Sequence, residues 1–249
     1  MMTFKKFIII GRCLKKNKGD LLLKKFDYFL LILLIINVSV FSLIMAIERS
    51  AYDLDYYMDS YEKNDVFEVT NKSYEELEKI SKEIIGVLKG NSDVSDLNPY
   101  FSSKEISHMR DVQNLFSFAK ILKLISAVSG LIIIFSYLRK DKSKIMGKWL
   151  GIGLSFNYLL LIIIAILVRT NFNKYFIIFH ELFFNNELWL LDPNTDLLIQ
   201  IMPEAFFTDI ITIILLRFVF YIFFGQLVGY IFYKKGKYNI PHYVNPKKY

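Results

Sequence analysis

Apolar residues form four long blocks along the chain, unlike the short helical or strand periods of a soluble domain. The blocks cover residues 26–47, 116–138, 149–168 and 209–233. A helix of about 20 apolar residues, rising about 1.5 Å per residue, crosses a hydrocarbon core of roughly 30 Å. The pattern therefore predicts an all-α integral membrane four-helix bundle, a single membrane domain over residues 1–249. Two longer segments, residues 48–115 and 169–208, connect these spans.

The first connecting segment contains two further helical patterns. Ser73 and Glu76 form a capping-box pattern before apolar residues at helical spacing, and Gly90 follows that run. This predicts a helix over residues 73–88. A second helix is expected to begin at Ser102 or Ser103, with Glu105 completing its capping pattern. Since no helix breaker follows, it is expected to continue into the second span.

The second connecting segment is rich in aromatic residues between residues 172 and 191. Aromatic side chains gather at the boundary between membrane and water. We therefore expect this stretch to lie in, or dip into, the membrane interface. In the spans, Gly147 with Gly151 and Gly225 with Gly229 stand four apart, a pattern of small residues typical of close helix packing.

The net charge of +7 is strongly segregated along the chain. Residues 1–28, 139–148 and 234–249 carry net charges of +6, +4 and +5, whereas residues 47–114 and 169–210 carry −7 and −4. Lys and Arg concentrate in the cytoplasmic segments of membrane proteins. The termini and the loop at 139–148 are therefore expected in the cytoplasm, and both long connecting segments outside it.

The basic residues lie next to the ends of the spans, which favours contact with anionic membrane lipid over nucleic acid. Nucleic acid is therefore not expected as a partner. The chain has one cysteine, Cys13, so an intramolecular disulfide is impossible.

Two histidines in the outer segments, His108 and His180, are the candidate chemical groups. On a helix, Glu105 and Asp111 would flank His108, and a carboxylate beside an imidazole fixes its tautomer and stabilises its cation. His180 stands among aromatic residues. The alternatives are an ordinary charged helix around His108 and an interfacial His180 bonded to water or a carbonyl. A zinc site from both histidines and a carboxylate is a further alternative, although the ligand spacing is not specific.

Arg217 lies inside the fourth span, about two helical turns from its outer end. A charge at this depth is costly and usually faces the interior of the protein or a polar group. We consider three interpretations: contact with a lipid or peptide carbonyl of a substrate, snorkelling of the side chain towards the membrane surface, and pairing with a carboxylate such as Glu204.

Two motifs together resemble the lipoprotein intramolecular transacylases, four-span membrane proteins of Firmicutes. The shorter motif runs Glu105-Ile-x-His108-Met-x-Asp111-Val. The longer one contains Phe179, His180, Phe183, Phe184, Asn186, Trp189, Asp192, Pro193, Asp196, Leu198, Ile199, Pro203, Phe206 and Phe207.

The resemblance implies a defined reaction at the outer face of the bacterial cytoplasmic membrane. One acyl chain moves from the sn-2 ester of a diacylated lipoprotein to the α-amine of its N-terminal cysteine, giving an N-acyl lyso-form. An ester becomes an amide, so the resemblance implies neither a cofactor nor a metal. The partners implied are the diacylated lipoprotein and membrane lipid.

The resemblance also suggests roles for particular residues. His108 and His180 would be catalytic, one as the base and the other as the acid or oxyanion donor, in an order that the sequence leaves open. Asp111 and Glu105 would orient His108. The expected substrate-binding residues are Trp189, Arg217, Phe183 and Phe184.

Two different functions compete with this interpretation. One is a non-enzymatic membrane scaffold or transporter subunit, which would tolerate replacement of both histidines. The other is a metal-dependent hydrolase of membrane lipid, which would be sensitive to chelators.

Overall fold

The computed structural model describes residues 3–236, with side chains from residue 25 onward. Over that range the chain forms ten α-helices and a short 3₁₀ helix at Val94–Leu97, without a strand. The α-helices are α1 Thr3–Ala51, α2 Leu54–Lys63, α3 Val66–Thr70, α4 Tyr74–Lys89, α5 Ser103–Arg139, α6 Ser143–Leu154, α7 Phe156–Thr170, α8 Phe172–Phe183, α9 Leu197–Ile201 and α10 Glu204–Lys235.

The expected all-α membrane protein with four spanning helices is confirmed. Four helical stretches are long and apolar enough to cross a membrane, at residues 25–51, 103–139, 143–170 and 204–235 of the described chain. The extreme termini, which the charge pattern assigns to the cytoplasm, lie outside the described residues, and so does the side chain of Cys13.

The capping pattern before α4 forms as the sequence predicts. The amide N–H of Glu76 donates to Ser73 Oγ at 3.3 Å, and the Ser73 N–H donates to Glu76 Oε2 at 2.9 Å. Gly90 ends the helix in the left-handed region, with φ 69°. Glycine adopts this conformation without steric cost, so the helix stops where the sequence indicates.

Helix α5 is continuous over 37 residues, as expected from the absence of a breaker. The Ser102 N–H donates to Glu105 Oε2 at 2.7 Å, so the predicted capping contact is present at its start. At about 1.5 Å per residue the helix is far longer than a hydrocarbon core is thick. Its first turns therefore extend beyond the membrane, and they carry His108.

The third spanning stretch is interrupted between α6 and α7, which the apolar pattern does not indicate. At the break, the Tyr158 N–H donates to the Ser155 carbonyl three residues earlier, at 3.1 Å. This is the bond of a 3₁₀ turn, whereas an α-helix bonds four residues back. The backbone at Ser155 keeps helical angles, φ −62° and ψ −24°, so the stretch still runs as one span.

The chain divides into two compact units, and residues up to 38, 127–154 and 225 onward form the first. Here the Tyr137 hydroxyl donates to the Asp27 carbonyl at 2.6 Å, and Gln226 Nε2 donates to the Gly151 carbonyl at 2.9 Å. Gly147 lies directly against the backbone of Gly229. The predicted packing of small residues therefore forms at this pair, where helices α6 and α10 cross.

The second unit comprises residues 39–126 and 155–224. Helices α2, α3, α4 and α9 pack there around a core of buried apolar side chains, among them Tyr61, Leu77, Ile84 and Phe206. The Tyr61 hydroxyl and the Ser81 hydroxyl hydrogen bond at 2.9 Å within this core. The core also includes Phe101 and Met109, so it fixes the start of α5, which carries His108.

Candidate active site

His108 on α5 and His180 on α8 meet in the second unit. Their ring centroids are 6.0 Å apart, with the ring planes tilted by 36°. Both side chains are buried, with exposed fractions of 8% and 7%. Two residues separated by 71 intervening positions are therefore brought close enough for both rings to contact one ester or amine group.

The tautomer of His180 follows from a single hydrogen bond. Its Nδ1 lies 2.7 Å from the carbonyl oxygen of Phe176, one helical turn earlier. A carbonyl can only accept, so Nδ1 carries the proton and Nε2 of the neutral ring keeps its lone pair. Burial lowers the pKa of His180 below its ordinary value, and the bond to Phe176 opposes this only in part. The ring is therefore neutral near pH 7, with Nε2 able to accept a proton.

His108 has a different environment. Its Nδ1 is buried and has no hydrogen-bond partner among the side chains and backbone that the structure describes. The ring of Phe184 meets it edge-on, with centroids 5.3 Å apart. A buried polar atom without a partner typically costs about 1–3 kcal/mol. A group bound beside His108 would offset that cost by bonding to this nitrogen.

Aromatic rings enclose His180 on several sides. Trp189 stacks on it at 4.8 Å with an interplanar angle of 30°, and Phe176 lies at 4.1 Å. Phe184 and Phe179 add contacts at 5.5 and 5.4 Å. These contacts hold the imidazole in one orientation and keep water from much of its surface.

The two carboxylates near His108 bond to other groups. Glu105 is only 2% exposed, and its two oxygens accept the N–H groups of Ser102 and Leu198, each at 2.7 Å. Asp111 Oδ2 accepts from Asn186 Nδ2 at 2.8 Å. Glu105 therefore joins the start of α5 to α9, and Asp111 joins α5 to the segment after α8. Their proposed orientation of His108 stays a prediction.

Arg217 is paired with protein groups. Its guanidinium donates to Asp53 Oδ2 at 2.6 Å and to Ser50 Oγ at 2.9 Å. The carboxylate partner considered from the sequence is thus present, but it is Asp53 and not Glu204. A substrate contact of Arg217 stays a prediction.

Both histidines line a cavity of about 580 Å³. Its wall includes Phe184 and Trp189, and most of its other lining side chains, from α1, α5, α7, α8 and α10, are hydrocarbon. These include Leu43, Ile47, Phe116, Ile164, Val168, Ile211, Ile214 and Leu215. The volume is typical of a pocket that encloses a small organic molecule. An apolar chain could occupy this space with a polar group held at the imidazoles.

Phe183, also expected to bind substrate, is not part of this wall. It is 48% exposed and packs against Phe179 at 4.8 Å. Its predicted contact with substrate would therefore lie outside the cavity. No group of three or more His, Cys, Asp or Glu side chains suited to a metal ion occurs within residues 25–236.

Three contributors to the site were not assigned a role from the sequence. Asn186 belongs to the aromatic motif, and its side chain also accepts the Leu188 N–H at 3.0 Å, which shapes the loop. The other two are the Phe176 carbonyl, which bonds to His180, and Asp53, which pairs with Arg217. Asn186 stands out in the sequence as a polar residue within an aromatic run, whereas the other two depend on backbone position and tertiary contact.

The chain is similar in sequence and in fold to known proteins. A family model described as "Lipoprotein intramolecular transacylase Lit" matches residues 29–207. An "Uncharacterized protein" of Aquifex aeolicus (strain VF5) is 31% identical over 137 residues, which is 54% of this chain. The match spans 60% of the length of that relative.

Solved structures of the membrane integral lipoprotein intramolecular transacylase Lit from Bacillus cereus have the same fold. One aligns with a TM-score of 0.69 and 22% identity, covering 85% of this chain and 95% of the other. A variant with a histidine replaced by arginine aligns with a TM-score of 0.76 and 19% identity, covering 88% and 97%. At such identities the likeness concerns the fold alone.

Proposed function

Because the chain belongs to the lipoprotein intramolecular transacylase family, we propose that it transfers an acyl chain within a diacylated lipoprotein. The chain leaves the sn-2 oxygen of the diacylglyceryl group and is attached to the α-amine of the N-terminal cysteine. The observation that carries the proposal is the pair of buried imidazoles, with ring centroids 6.0 Å apart, in the wall of an apolar cavity.

In this reaction His180 is the general base. Its Nδ1–H is held by the Phe176 carbonyl, so Nε2 is the nitrogen available to accept a proton. The amine nitrogen bonds to the ester carbonyl carbon, and its proton passes to Nε2. The bond from that carbon to the glyceryl oxygen then breaks, and the glyceryl oxygen gains a proton. The product is an amide and an alcohol, with no net gain or loss of protons.

His108 has the complementary role. Its partnerless Nδ1 can carry the N–H that stabilises the oxyanion or protonates the departing glyceryl oxygen. Burial lowers the pKa of His108, and the charge of Asp111, three positions further along α5, opposes this only in part, so the ring is neutral near pH 7. Two imidazoles thus divide the proton transfers without a covalent intermediate on the protein.

The cavity holds the substrate for this step. Hydrocarbon side chains below the histidines accommodate acyl chains, while Trp189 and Phe184 confine the ester and the amine beside the rings. The amine and the ester belong to one molecule, so confinement raises their effective concentration by a large factor. No second acyl donor is required. The charge pattern favours placing this site on the extracytoplasmic face.

The test is to co-express a diacylated lipoprotein with the wild type, His108→Ala or His180→Ala. Tandem mass spectrometry of the N-terminal lipopeptide is required, because the transfer moves an acyl chain without changing the total mass. We expect either substitution to reduce formation of the N-acyl lyso product by roughly 10²–10⁴-fold, as for loss of an acid–base residue. His242→Ala, which removes the third histidine, is the matched control and should retain full conversion.

Other outcomes separate the competing functions. Loss of one acyl chain from the lipopeptide mass would identify a hydrolase. Unchanged lipopeptides with the wild type in the membrane would favour a scaffold. Full conversion by both the His108 and His180 variants would refute the assignment of the site.

A further inference from the structure

Two lysine side chains lie over the ring of Tyr52 in the second unit. The Nζ of Lys89, at the end of α4, is 5.3 Å from the ring centroid, and the Nζ of Lys120, on α5, is 6.0 Å from it. Lys120 also donates to the Leu88 carbonyl at 3.0 Å. Two ammonium groups from separate helices thus lie near the same aromatic ring.

Neither of these ammonium groups is paired directly with a carboxylate among the residues that the structure describes. Lys123, one turn further along α5, forms an ion pair with Glu48. Lys89 and Lys120 form no ion pair within residues 25–236. Arg49, an exposed residue three positions before Tyr52 on α1, adds a further positive charge nearby. Since like charges repel, an anion bound between the two lysines would lower the electrostatic energy of this region.

Lys120 lies near the point where the exposed residues of α5 change from polar to apolar. Up to Ser117 the exposed residues of this helix are polar, namely Ser103, Ser107, Arg110, Asn114 and Ser117. From Phe118 to Leu138 they are apolar, with Phe118, Ile121 and Leu124 exposed by 64%, 58% and 64%. Such a transition marks the level of lipid headgroups on a spanning helix. Lys120 lies within one turn of it.

The end of α4 beside Lys120 is exposed to solvent, at Lys89 and Gly90. Apart from its chain neighbours, a Cβ added at Gly90 would meet only the Nζ of Lys120 within 4 Å, at 3.7 Å. The position of the Lys120 side chain is explained by its hydrogen bond to the Leu88 carbonyl at the end of α4. The position of the Lys89 side chain over Tyr52 has no such explanation.

We propose that Lys89, Lys120 and Tyr52 bind the phosphate of an anionic phospholipid. The two ammonium groups contact the phosphate oxygens, the ring of Tyr52 supports the glycerol backbone, and the acyl chains descend along Leu124. The ligand is a lipid of the surrounding bilayer, distinct from any lipoprotein in the cavity. The proposal does not depend on the transacylase reaction.

The experiment uses the full chain, purified in detergent and analysed by native mass spectrometry. Phosphatidylglycerol and phosphatidylcholine are titrated separately, because both contain a phosphate but only the first has a net negative charge. We expect the wild type to retain one phosphatidylglycerol in preference to phosphatidylcholine. The double variant Lys89→Gln/Lys120→Gln should bind it about 30-fold more weakly, given the usual contribution of each basic residue near a lipid surface.

Glutamine retains a donor for the Leu88 carbonyl, so the fold around α4 should persist. The control Lys79→Gln/Lys82→Gln removes two charges from the exposed face of α4 and should bind phosphatidylglycerol like the wild type. Equal binding by the wild type and the Lys89/Lys120 variant would overturn the proposal. So would full displacement of the lipid by millimolar inorganic phosphate, which would identify a free-anion site.

Discussion

His180 is fixed by its contacts before any substrate arrives. The Phe176 carbonyl holds Nδ1, Trp189 covers one ring face, and burial removes water from the imidazole. Because burial disfavours the charged form, the protonated ring is less stable here than in water. The folded chain should therefore keep His180 neutral at a pH where an exposed histidine is half protonated.

The titration of His180 can be observed directly, since the chain has only three histidines. In the variant His108→Gln/His242→Gln, labelled with ¹³C and ¹⁵N histidine, NMR should show a midpoint below the ordinary value of about 6.5. The neutral ring should be the Nδ1–H tautomer. Protonation, and with it loss of the base, then occurs only as the pH falls through this lowered pKa. A midpoint at or above 6.5, or an Nε2–H tautomer, would contradict the assignment.

The sequence singled out the two histidines that meet in the structure, but not the hydrogen bonds that they make. His108 and His180 stood out as histidines in the outer segments, and the family resemblance paired them. The partner of His180 is a backbone carbonyl, and every residue has one, so no residue type could indicate it. Glu105 looked like an orienting group for His108, but its oxygens accept backbone N–H groups of two segments.

Among the helices, α4 and α5 begin where the sequence predicts because their end signals are local. A capping box and a left-handed glycine involve residues within one helical turn, so both signals can be recognised in the sequence. Helices α2, α3 and α9 have ten, five and five residues, too short for stability on their own. They depend on packing in the second unit, and the sequence pattern did not indicate them.

The crossing of α6 and α10 in the first unit provides a matched pair of variants. A Cβ at Gly147 would overlap backbone atoms of Gly229 and Tyr233, whereas one at Gly151 would meet nothing within 4 Å. We expect Gly147→Ala to destabilise the protein by about 1–3 kcal/mol, as overpacking does. Gly151→Ala should be neutral or slightly stabilising, since alanine favours helix. Thermal unfolding in detergent is the measurement, and equal midpoints for both variants would contradict this close packing.

At the level of the whole molecule, orientation in the membrane rests on the segregation of charge. On a Cys13→Ser background, Asp59→Cys and Lys140→Cys each introduce one exposed thiol on opposite sides of the predicted bilayer. An impermeant maleimide added to intact cells should label the cysteine at position 59. It should reach position 140 only after the membrane is permeabilised. The reverse pattern would invert the predicted topology.

The four spans and the family were accessible from the sequence because long apolar blocks and motif order are properties of the chain itself. The meeting of His108 with His180 was not, since it depends on how α5 and α8 pack in the second unit. The same applies to Arg217, whose partner Asp53 lies 164 positions away along the chain. Contacts of this kind arise from tertiary structure.

The apolar wall of the cavity also bears on the fidelity of the proposed chemistry. A water molecule needs about two to four polar partners to be held inside a protein, and the wall below the imidazoles offers almost none. Water is the competitor that would turn transfer into cleavage and leave the lipoprotein with one chain fewer. Because an apolar cavity excludes water, the cysteine amine is the nucleophile that reaches the ester. The preference for transfer over hydrolysis therefore depends on the exclusion of water as well as on the histidines.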